Sequence, residues 1–253
     1  MPRPVLQDTS SSLRRALALL DAFSGERREL SVRQLAERSG VTRSTAHRLA
    51  KELVEWGGLE RTPAGLRLGV KLFELGAMAP SPTSLREAAV PYLHTLHEVT
   101  QLTANLAVRE GTEIVYLEKI STRQLRVPHT RLGGRGTLHA TALGKAILAF
   151  SDDDVDLDAL APTMTRLTAH TITDPAALSR ELGRVRGQRV AYDVEESKEG
   201  LFCVAAPITS GRGPVLGALS VTGATALSHA ERFAPTVMAT AAAISRSLEL
   251  RAA

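Results

Sequence analysis

Apolar and polar positions alternate over the first third of the chain at the spacing of three short helices. Apolar residues recur at i, i+3, i+4 and i+7 from Leu13, which predicts a first helix beginning near Ser12. Ser31 and Gln34 have the spacing of a capping box and predict the start of a second helix. After a break at Gly40, the pattern predicts a third helix over residues 42–56. Two short helices joined by a tight turn are typical of a helix-turn-helix.

A β-hairpin and a short apolar helix are predicted after the third helix. Residues 59–61 and 66–68 flank a Thr-Pro-Ala-Gly turn, and Pro80-Ser81-Pro82 predicts a hinge. The predicted organisation is a disordered tail at 1–11, a winged helix-turn-helix at 12–70, a linker helix and hinge at 71–82, and a second domain at 83–253.

Strand-like and helix-like segments are mixed in the second domain. A helix capped at Ser84 is predicted to run towards residue 101, and a glycine-rich loop at 133–136 to lead into a helix at 139–150. Further helices are predicted from residue 151, from Asp174 and, through a capping box, from Ser228. Strands are predicted at 102–109, 113–120, 125–129, 189–192, 201–208 and 215–221. This mixture predicts an α+β domain with a central antiparallel sheet.

Composition narrows the class of protein. Hydrophobic residues make up 43 % of the 253 residues, which is ordinary for a globular chain. No apolar run reaches the about 18 residues of a membrane span, and the N-terminus lacks a signal-peptide core, so we expect no membrane partner and a cytoplasmic location. The single cysteine, Cys203, excludes an internal disulfide framework and a thiolate-rich metal site.

The charge is unevenly distributed. Residues 1–80 contain 13 Lys and Arg against 9 Asp and Glu, whereas residues 81–253 contain 18 of each kind. All of the net charge of +4 therefore belongs to the predicted winged helix-turn-helix and linker. A local basic surface beside a neutral remainder is typical of a nucleic-acid-binding module joined to a second domain.

The third predicted helix carries the chemistry for binding DNA. Its polar face has residues spaced at i, i+4, with no acidic residue inside that arc. Arg and Lys reach phosphates or guanine edges, and Ser, Thr and His bond to either. The predicted contacts to double-stranded DNA are Arg33 on the second helix, Thr42, Arg43, Ser44, Thr45, His47, Arg48 and Lys51 on the third, and Arg61 and Arg67 on the wing. The alternatives are a solvated helix face and a protein-interaction surface.

Several stretches together resemble the IclR family of bacterial transcriptional regulators. They are the helix-turn-helix at 31–50 and the segments LHATALGKAILA, GQRVAYDVEESKEGLFCVAAPI and GPVLGALSVTG. The resemblance covers about residues 12–250. It implies a winged helix-turn-helix, a linker helix and a GAF-like effector domain. It also implies a homodimer, or a tetramer as a dimer of dimers, on a palindromic operator. Family members act as repressors or activators, often of catabolic genes, and we expect this chain to be a repressor.

The same resemblance implies where a small-molecule effector binds. Carried over residue by residue, the effector site comprises Gly136, Ala142, Leu143, Asp193, Leu201, Cys203, Ser220 and Thr222. Thr222 stands where the family commonly has serine, and Ala142-Leu143 stand where members that bind small keto acids have smaller residues. Both differences disfavour a glyoxylate-like or pyruvate-like effector. From the residues alone, Cys203 also fits a small buried apolar side chain, and Asp193 a turn or cap residue.

Other chemistry is weakly supported, and we expect no catalytic residue, metal or cofactor. Cys203 with His139 or His229 resembles a nucleophile pair, but no third, orienting residue is evident. His94 and His97 share a helix face without a further ligand cluster nearby in sequence. The Gly133–Gly136 loop lacks the Lys-Ser/Thr of a phosphate-binding loop.

Overall fold

The computed structural model describes residues 11–23, 28–121, 130–151, 156–210, 213–224 and 230–252. They form two compact units, Met1–Pro80 and Ser81–Ala253. Of the predicted tail at 1–11, residues 1–10 lie outside the described residues, and Ser11 caps the first helix. Among the residues that are described, no helix is long and apolar enough to cross a membrane.

The first unit has three helices, a hairpin and a fourth helix, as predicted. Its elements are α1 (Ser12–Asp21), α2 (Val32–Ser39), α3 (Arg43–Trp56), β1 (Leu59–Thr62), β2 (Gly65–Leu68) and α4 (Val70–Ala77). Leu19, Leu35, Leu49 and Leu59 are at most 2 % exposed and pack into one core. Strands β1 and β2 pair antiparallel, which forms the small wing.

Local sequence signals fix the turn of the helix-turn-helix. Ser31 and Gln34 form the predicted capping box at the start of α2. Gly40 then takes a left-handed conformation (φ 72°) that L side chains rarely adopt. Thr42 caps the next helix through its side chain. These caps place α2 and α3 in contact and set the start of α3.

The second unit is a three-layer α+β domain. Its elements are α5 (Pro80–Thr100), β3 (Thr103–Glu110), β4 (Glu113–Ile120), β5 (Arg135–Thr137), α6 (Ala142–Ala149), α7 (Leu157–Leu160), α8 (Pro175–Gln188), β6 (Ala191–Val194), β7 (Phe202–Thr209), β8 (Val215–Gly223) and α9 (Ala234–Ala252). The six strands pair antiparallel in the order β5-β4-β3-β8-β7-β6, which confirms the predicted sheet. Helices α5 and α9 pack on one face, and α6 and α8 on the other.

The start of α5 differs from the prediction. The predicted cap Ser84 lies inside the helix, because α5 begins at Pro80. Pro80 and Pro82 are tolerated there because the first N–H groups of a helix have no intrahelical partner. The residues predicted to form a hinge therefore make the first turn of α5, and only Met78 and Ala79 separate α4 from α5.

Two other predicted boundaries change. The loop predicted at Gly133–Gly136 contributes to β5, which forms because Gly136 and its neighbours pair with the edge of β4. Helix α6 begins at Ala142 rather than residue 139, because the Thr141 side chain accepts a hydrogen bond from the Gly144 N–H and caps it. The strand predicted at 125–129 and the cap predicted at Ser228 lie outside the described residues.

Gly144 allows α6 to approach the preceding segment closely. A Cβ atom at this position would lie 2.3 Å from the carbonyl oxygen of Leu138 and 2.5 Å from its Cα. Real side chains essentially never make such contacts with backbone, so any other residue here would displace the helix. Gly144 therefore sets how closely the start of α6 packs on the segment at Leu138 that precedes it.

Candidate DNA interface and effector site

Helix α3 turns the predicted polar residues to solvent. Ala46, Leu49 and Ala50 are buried in the core of the first unit, which orients the opposite face outward. The exposed residues on that face are Thr42, Arg43, Ser44, His47, Arg48 and Lys51, and Thr45 is half-buried. The structure thus brings the residues of the predicted arc together on one exposed helix face.

The start of α3 is preorganised by side-chain hydrogen bonds. Thr42 Oγ1 accepts from the Thr45 backbone N–H at 3.3 Å and donates to Thr45 Oγ1 at 2.9 Å. Thr42 Oγ1 also lies 3.2 Å from Ser44 Oγ. The first N–H groups of a helix attract phosphate, so this end of α3 suits an approach to the DNA backbone.

Acidic residues border the arc and pair with two of its cations. Arg48 Nη1 donates to Glu52 Oε1 at 2.6 Å, and Lys51 Nζ lies 3.7 Å from Glu55 Oε1. Each pair spans i to i+4 at an exposed site, so each contributes only about 0–1 kcal/mol and is readily exchanged for a phosphate. Within the described part of the chain, Arg43 has no acidic partner, and among the cations of this arc it is the most directly available to DNA.

The remaining predicted DNA contacts do not form one patch. Arg67 donates two hydrogen bonds to Glu60 across the wing, at 2.8 and 2.9 Å, and these bonds lower the pKa of Glu60. Arg61 pairs with Leu66, next to the Glu60–Arg67 pair in the hairpin. Because successive side chains of a strand point to opposite faces, Arg61 extends from the other face of the ribbon. Arg33 lies on α2, where its Nε is 3.9 Å from Glu37 Oε1.

Four neighbouring strands carry a row of polar side chains on the sheet face that packs against α6. The pairing register places Asp193 of β6 opposite Cys203 of β7, and Cys203 opposite Thr222 of β8. Ser220 of β8 is opposite Asn105 of β3. We call Asn105, Asp193, Cys203, Ser220 and Thr222 the polar row; each member is at most 8 % exposed. Four of these five residues were predicted, and Asn105 was missed.

Hydrogen bonds connect the row. Thr222 Oγ1 donates to Cys203 Sγ at 3.2 Å. Asn105 Nδ2 donates to Thr222 Oγ1 at 3.3 Å and to Ser220 Oγ at 3.4 Å. Ala142 and Leu143, at the start of α6, are buried in the same cluster as Cys203 and form apolar walls beside the row.

Two predicted effector residues do not belong to the row. Gly136 is in β5, at the opposite edge of the sheet from Asp193 in β6. Leu201 precedes β7 and accepts a backbone hydrogen bond from Glu195 at 2.9 Å. Tyr116, which was not predicted, lies beside Gly136, and burial together with Cys203 and Asp193 raises its pKa.

Asp193 organises the turn that follows β6. Its Oδ1 accepts from the backbone N–H groups of Glu196 at 2.9 Å and Ser197 at 3.1 Å, and its Oδ2 accepts from the Ser197 hydroxyl. Burial raises the pKa of Asp193, against the opposing effect of these bonds. The geometry matches the cap alternative for this residue, because both carboxylate oxygens already have partners.

A buried ion-pair cluster, absent from the predictions, adjoins the row. Lys145 lies in the middle of α6 with no exposed surface, where it pairs with Glu196 and lies 3.5 Å from Glu181 Oε1. Burial raises the pKa of Glu196 to about 7, although Lys145 opposes the shift. Burial also acts to raise the pKa of Glu181, but Arg184 and Lys145 outweigh it and lower that pKa. A lysine within the apolar run ALGKAILA was the sequence signal for this cluster.

The enzyme and metal alternatives find no support in the described residues. Burial raises the pKa of Cys203 to about 12, so its thiol stays protonated at neutral pH. His139 Nε2 lies 3.0 Å from the Thr165 carbonyl oxygen, and burial lowers its pKa, while His229 is outside the described residues. His97 Nδ1 lies 2.6 Å from the Leu102 carbonyl oxygen. Across the described ranges, no three His, Cys, Asp or Glu residues are grouped as metal ligands.

Comparison with known proteins accounts for both units. Residues 12–63 match the IclR helix-turn-helix domain, and residues 78–246 match the C-terminal domain of the bacterial transcriptional regulator IclR. The chain belongs to the IclR family. It is therefore a DNA-binding transcriptional regulator rather than an enzyme, as the sequence predicted.

Similar IclR-family proteins are matched over most of their length. The regulator XynR of Escherichia coli is 34 % identical over 86 % of this chain and 86 % of its own length. The p-hydroxybenzoate hydroxylase transcriptional activator of Acinetobacter baylyi is 30 % identical, with 85 % and 81 % covered. An IclR homologue of Microbacterium hydrocarbonoxydans, solved with 4-hydroxybenzoate, has a TM-score of 0.86 at 29 % identity, with 96 % and 100 % covered.

Proposed function

We propose that this chain is a ligand-responsive repressor of a catabolic operon whose effector is a small organic acid or an aromatic compound. One observation supports the effector half above all. The polar row places hydroxyl, thiol and amide groups side by side on a sheet face that also carries the apolar cluster beneath α6. Small-ligand sites typically combine apolar walls with a few convergent polar groups.

The start of α6 supplies the remaining chemistry for an acid. The first N–H groups of a helix favour a carboxylate, and Ala142 and Leu143 stand at that end of α6. In this proposal Ser220, Thr222 and Cys203 contact the effector, and Asp193 acts by holding the turn at 194–197. Gly136 and Leu201 line the periphery. An IclR homologue was solved with 4-hydroxybenzoate, which favours an acid of this size.

For DNA binding, the proposal is that the chain forms a homodimer, or a dimer of dimers, on a palindromic operator. Each α3 enters a major groove, with Arg43, Ser44, His47, Arg48 and Lys51 facing the bases and phosphates. Thr42 and Thr45 approach the backbone at the start of α3, and Arg33, Arg61 and Arg67 contribute further contacts to phosphates. A palindrome requires two recognition helices at a fixed spacing.

Effector binding is proposed to act through the segment between α4 and α5. Met78 and Ala79 are the non-helical residues there, and Pro80 and Pro82 begin α5. A change in this segment would alter the spacing of two recognition helices in a dimer and hence the affinity for the operator. Replacing residues 78–82 by a continuous helix-forming sequence should abolish the effector response while operator binding remains. A response that survives this change would contradict the coupling.

The function is tested in two steps with the full-length protein. The operator is first selected from a random duplex library, and a palindromic consensus is expected. Binding to that operator should weaken steeply with salt, because Lys and Arg release counterions from DNA when they bind phosphates. Binding that does not depend on salt, or no selection of duplex DNA, would favour a protein-interaction surface instead.

A thermal-shift screen of organic and aromatic acids then tests the effector. A ligand that binds the native state raises the melting temperature. The same compound should release the selected operator if the chain is a repressor, and should leave it bound or tighten it if the chain is an activator. Ser220→Ala and Thr222→Val should each reduce the shift, whereas Thr240→Val on α9 is the matched control. No shift with any acid would rule out the proposed effector class.

A further inference from the structure

We propose that Asn105 is a specificity-determining residue of the effector site, and that its side-chain oxygen selects effectors that carry a hydroxyl group in addition to the acid. The inference rests on the proposed function and deepens it. It names the chemical class of the effector as a hydroxylated acid.

The side chain of Asn105 is buried with half of its hydrogen-bonding capacity unused. It is 1 % exposed, and its Nδ2 donates to both Ser220 and Thr222. Its Oδ1 is buried and has no hydrogen-bond partner. A buried acceptor without a partner costs free energy, and most such groups in native proteins are paired. An effector hydroxyl would supply the missing donor.

The neighbouring Thr222 hydroxyl favours one orientation of the amide. Thr222 Oγ1 donates its proton to Cys203 Sγ. A hydroxyl has a single proton, so this oxygen is left as an acceptor for the Asn105 NH₂ group. The opposite orientation of the amide would place Oδ1 against a hydroxyl whose proton is already used. The orientation with Oδ1 as the free acceptor is therefore the favoured one.

Other unpaired buried oxygens lie on the same side of the sheet. Within the described residues, the side-chain atoms in this state are Asn105 Oδ1, Thr137 Oγ1 and Glu196 Oε2. Glu196 pairs with Lys145 of α6 through its other oxygen, and the Thr137 carbonyl accepts from Thr141, which caps α6. The described part of the α5–α9 side has no such atom. The unpaired buried side-chain oxygens thus lie on the α6 side of the sheet, the side that carries the polar row.

If Asn105 serves the fold, replacing it should change the stability of the protein differently than if it serves effector selection. Asn105→Leu keeps the number of side-chain heavy atoms and removes the unpaired oxygen. If the residue serves the effector, the melting temperature of the effector-free, full-length variant should equal or exceed that of the wild type. If the residue serves the fold, the variant should melt several degrees lower, and the inference is overturned. Leu106→Met, on the opposite face of the same strand, is the matched control.

The ligand test compares acids that differ by one hydroxyl. The probes are benzoate with its 2-, 3- and 4-hydroxy derivatives, and butyrate with 3-hydroxybutyrate, measured by calorimetric titration. The wild type should bind at least one hydroxylated acid about tenfold more tightly than its parent, the usual effect of one buried hydrogen bond. Asn105→Leu should remove that preference, and Leu106→Met should keep it.

The outcomes separate the two proposals. If acids bind but hydroxylated and parent compounds bind equally, the inference is wrong and the proposed function stands. If the preference exists but persists in Asn105→Leu, another residue reads the hydroxyl and the inference is also wrong. If none of the acids binds the wild type, the proposed effector class is wrong, and the inference that rests on it falls with it.

Discussion

The exposed face of α3 and the buried ion-pair cluster beside the polar row use similar side chains under opposite conditions. Arg48 and Lys51 face water and pair with acidic residues that a phosphate can replace. Lys145 has no exposed surface, and its pairs with Glu196 and Glu181 lie in the interior. We therefore expect the surface pairs to be dispensable for the fold and the loss of one buried partner to destabilise it. The difference is solvent, which screens the surface pairs and is excluded from the buried ones.

The largest effect that this comparison predicts is for Lys145→Met. The change removes the cation beside buried Glu196, which must then take up a proton or stay charged without a partner, and this should lower the free energy of unfolding by about 3–5 kcal/mol at pH 8. Urea unfolding of the full-length protein measures it. Adding Glu196→Gln should restore much of the loss, because the unpaired charge is removed. Lys51→Met should leave stability within about 0.5 kcal/mol. Equal losses of stability in Lys145→Met and Lys51→Met would contradict the difference between buried and exposed ion pairs.

The second prediction concerns pH. The pKa of Glu196 is raised to about 7 in the folded chain, above its ordinary value of 4.5. The folded state therefore holds a proton that the unfolded state has lost, and stability from this group falls as pH rises through that window. The wild type should lose roughly 3 kcal/mol relative to Glu196→Gln between about pH 4.5 and pH 7. Exposed Glu199→Gln serves as the control, and a pH-independent difference would contradict the shift.

The third prediction concerns DNA. Arg43→Ala should weaken binding to the selected operator by about 1–3 kcal/mol if Arg43 contacts a base, and Arg48→Ala should do so by less. The order follows because Arg48 must first leave Glu52, whereas Arg43 is unpaired within the described residues. Fluorescence anisotropy measures both affinities. Exposed Arg180→Ala, in the second unit, should have no effect. Unchanged affinity for both variants of α3 would contradict its role as the recognition helix.

The smallest effect is expected from removing an acidic partner on the DNA face. Glu52→Gln frees Arg48 from its ion pair and removes a charge that repels phosphate. Operator affinity should rise by no more than about 1 kcal/mol, because an exposed pair is weak to begin with. The gain should shrink with added salt. A loss of affinity would mean that Glu52 positions Arg48 for DNA rather than competing with it.

The two sites also differed in how far the sequence could predict them. The exposed face of α3 follows from helical spacing alone, since every residue on it lies within one element and has a known angular position. Helical spacing did not predict the role of Glu52 and Glu55, which border this face and pair with its Arg48 and Lys51. The fold of this unit was predicted well because its caps, such as Ser31 and Thr42, are local signals.

The polar row depends on strand register, which short-range patterns do not encode. Asn105 and Ser220 are opposite each other although they are 115 positions apart in the chain. Family resemblance supplied Cys203 and Thr222, but it offered no reason to choose Asn105 or Lys145. Burial of polar side chains, rather than their sequence context, identified both. The early start of α5 at Pro80 was missed because proline is tolerated only in the first turn and otherwise signals a break.

The buried state of Cys203 gives the protein a practical property. It is the only cysteine in the chain, and burial raises the pKa of its thiol, which slows its reaction with thiol reagents in the native state. A cysteine introduced on the exposed wing can therefore be labelled selectively without altering the native residue. One spin label per chain, placed for example through Ala64→Cys, would report the distance between two wings in an assembly. Recording that distance with and without an effector measures the proposed regulatory movement directly.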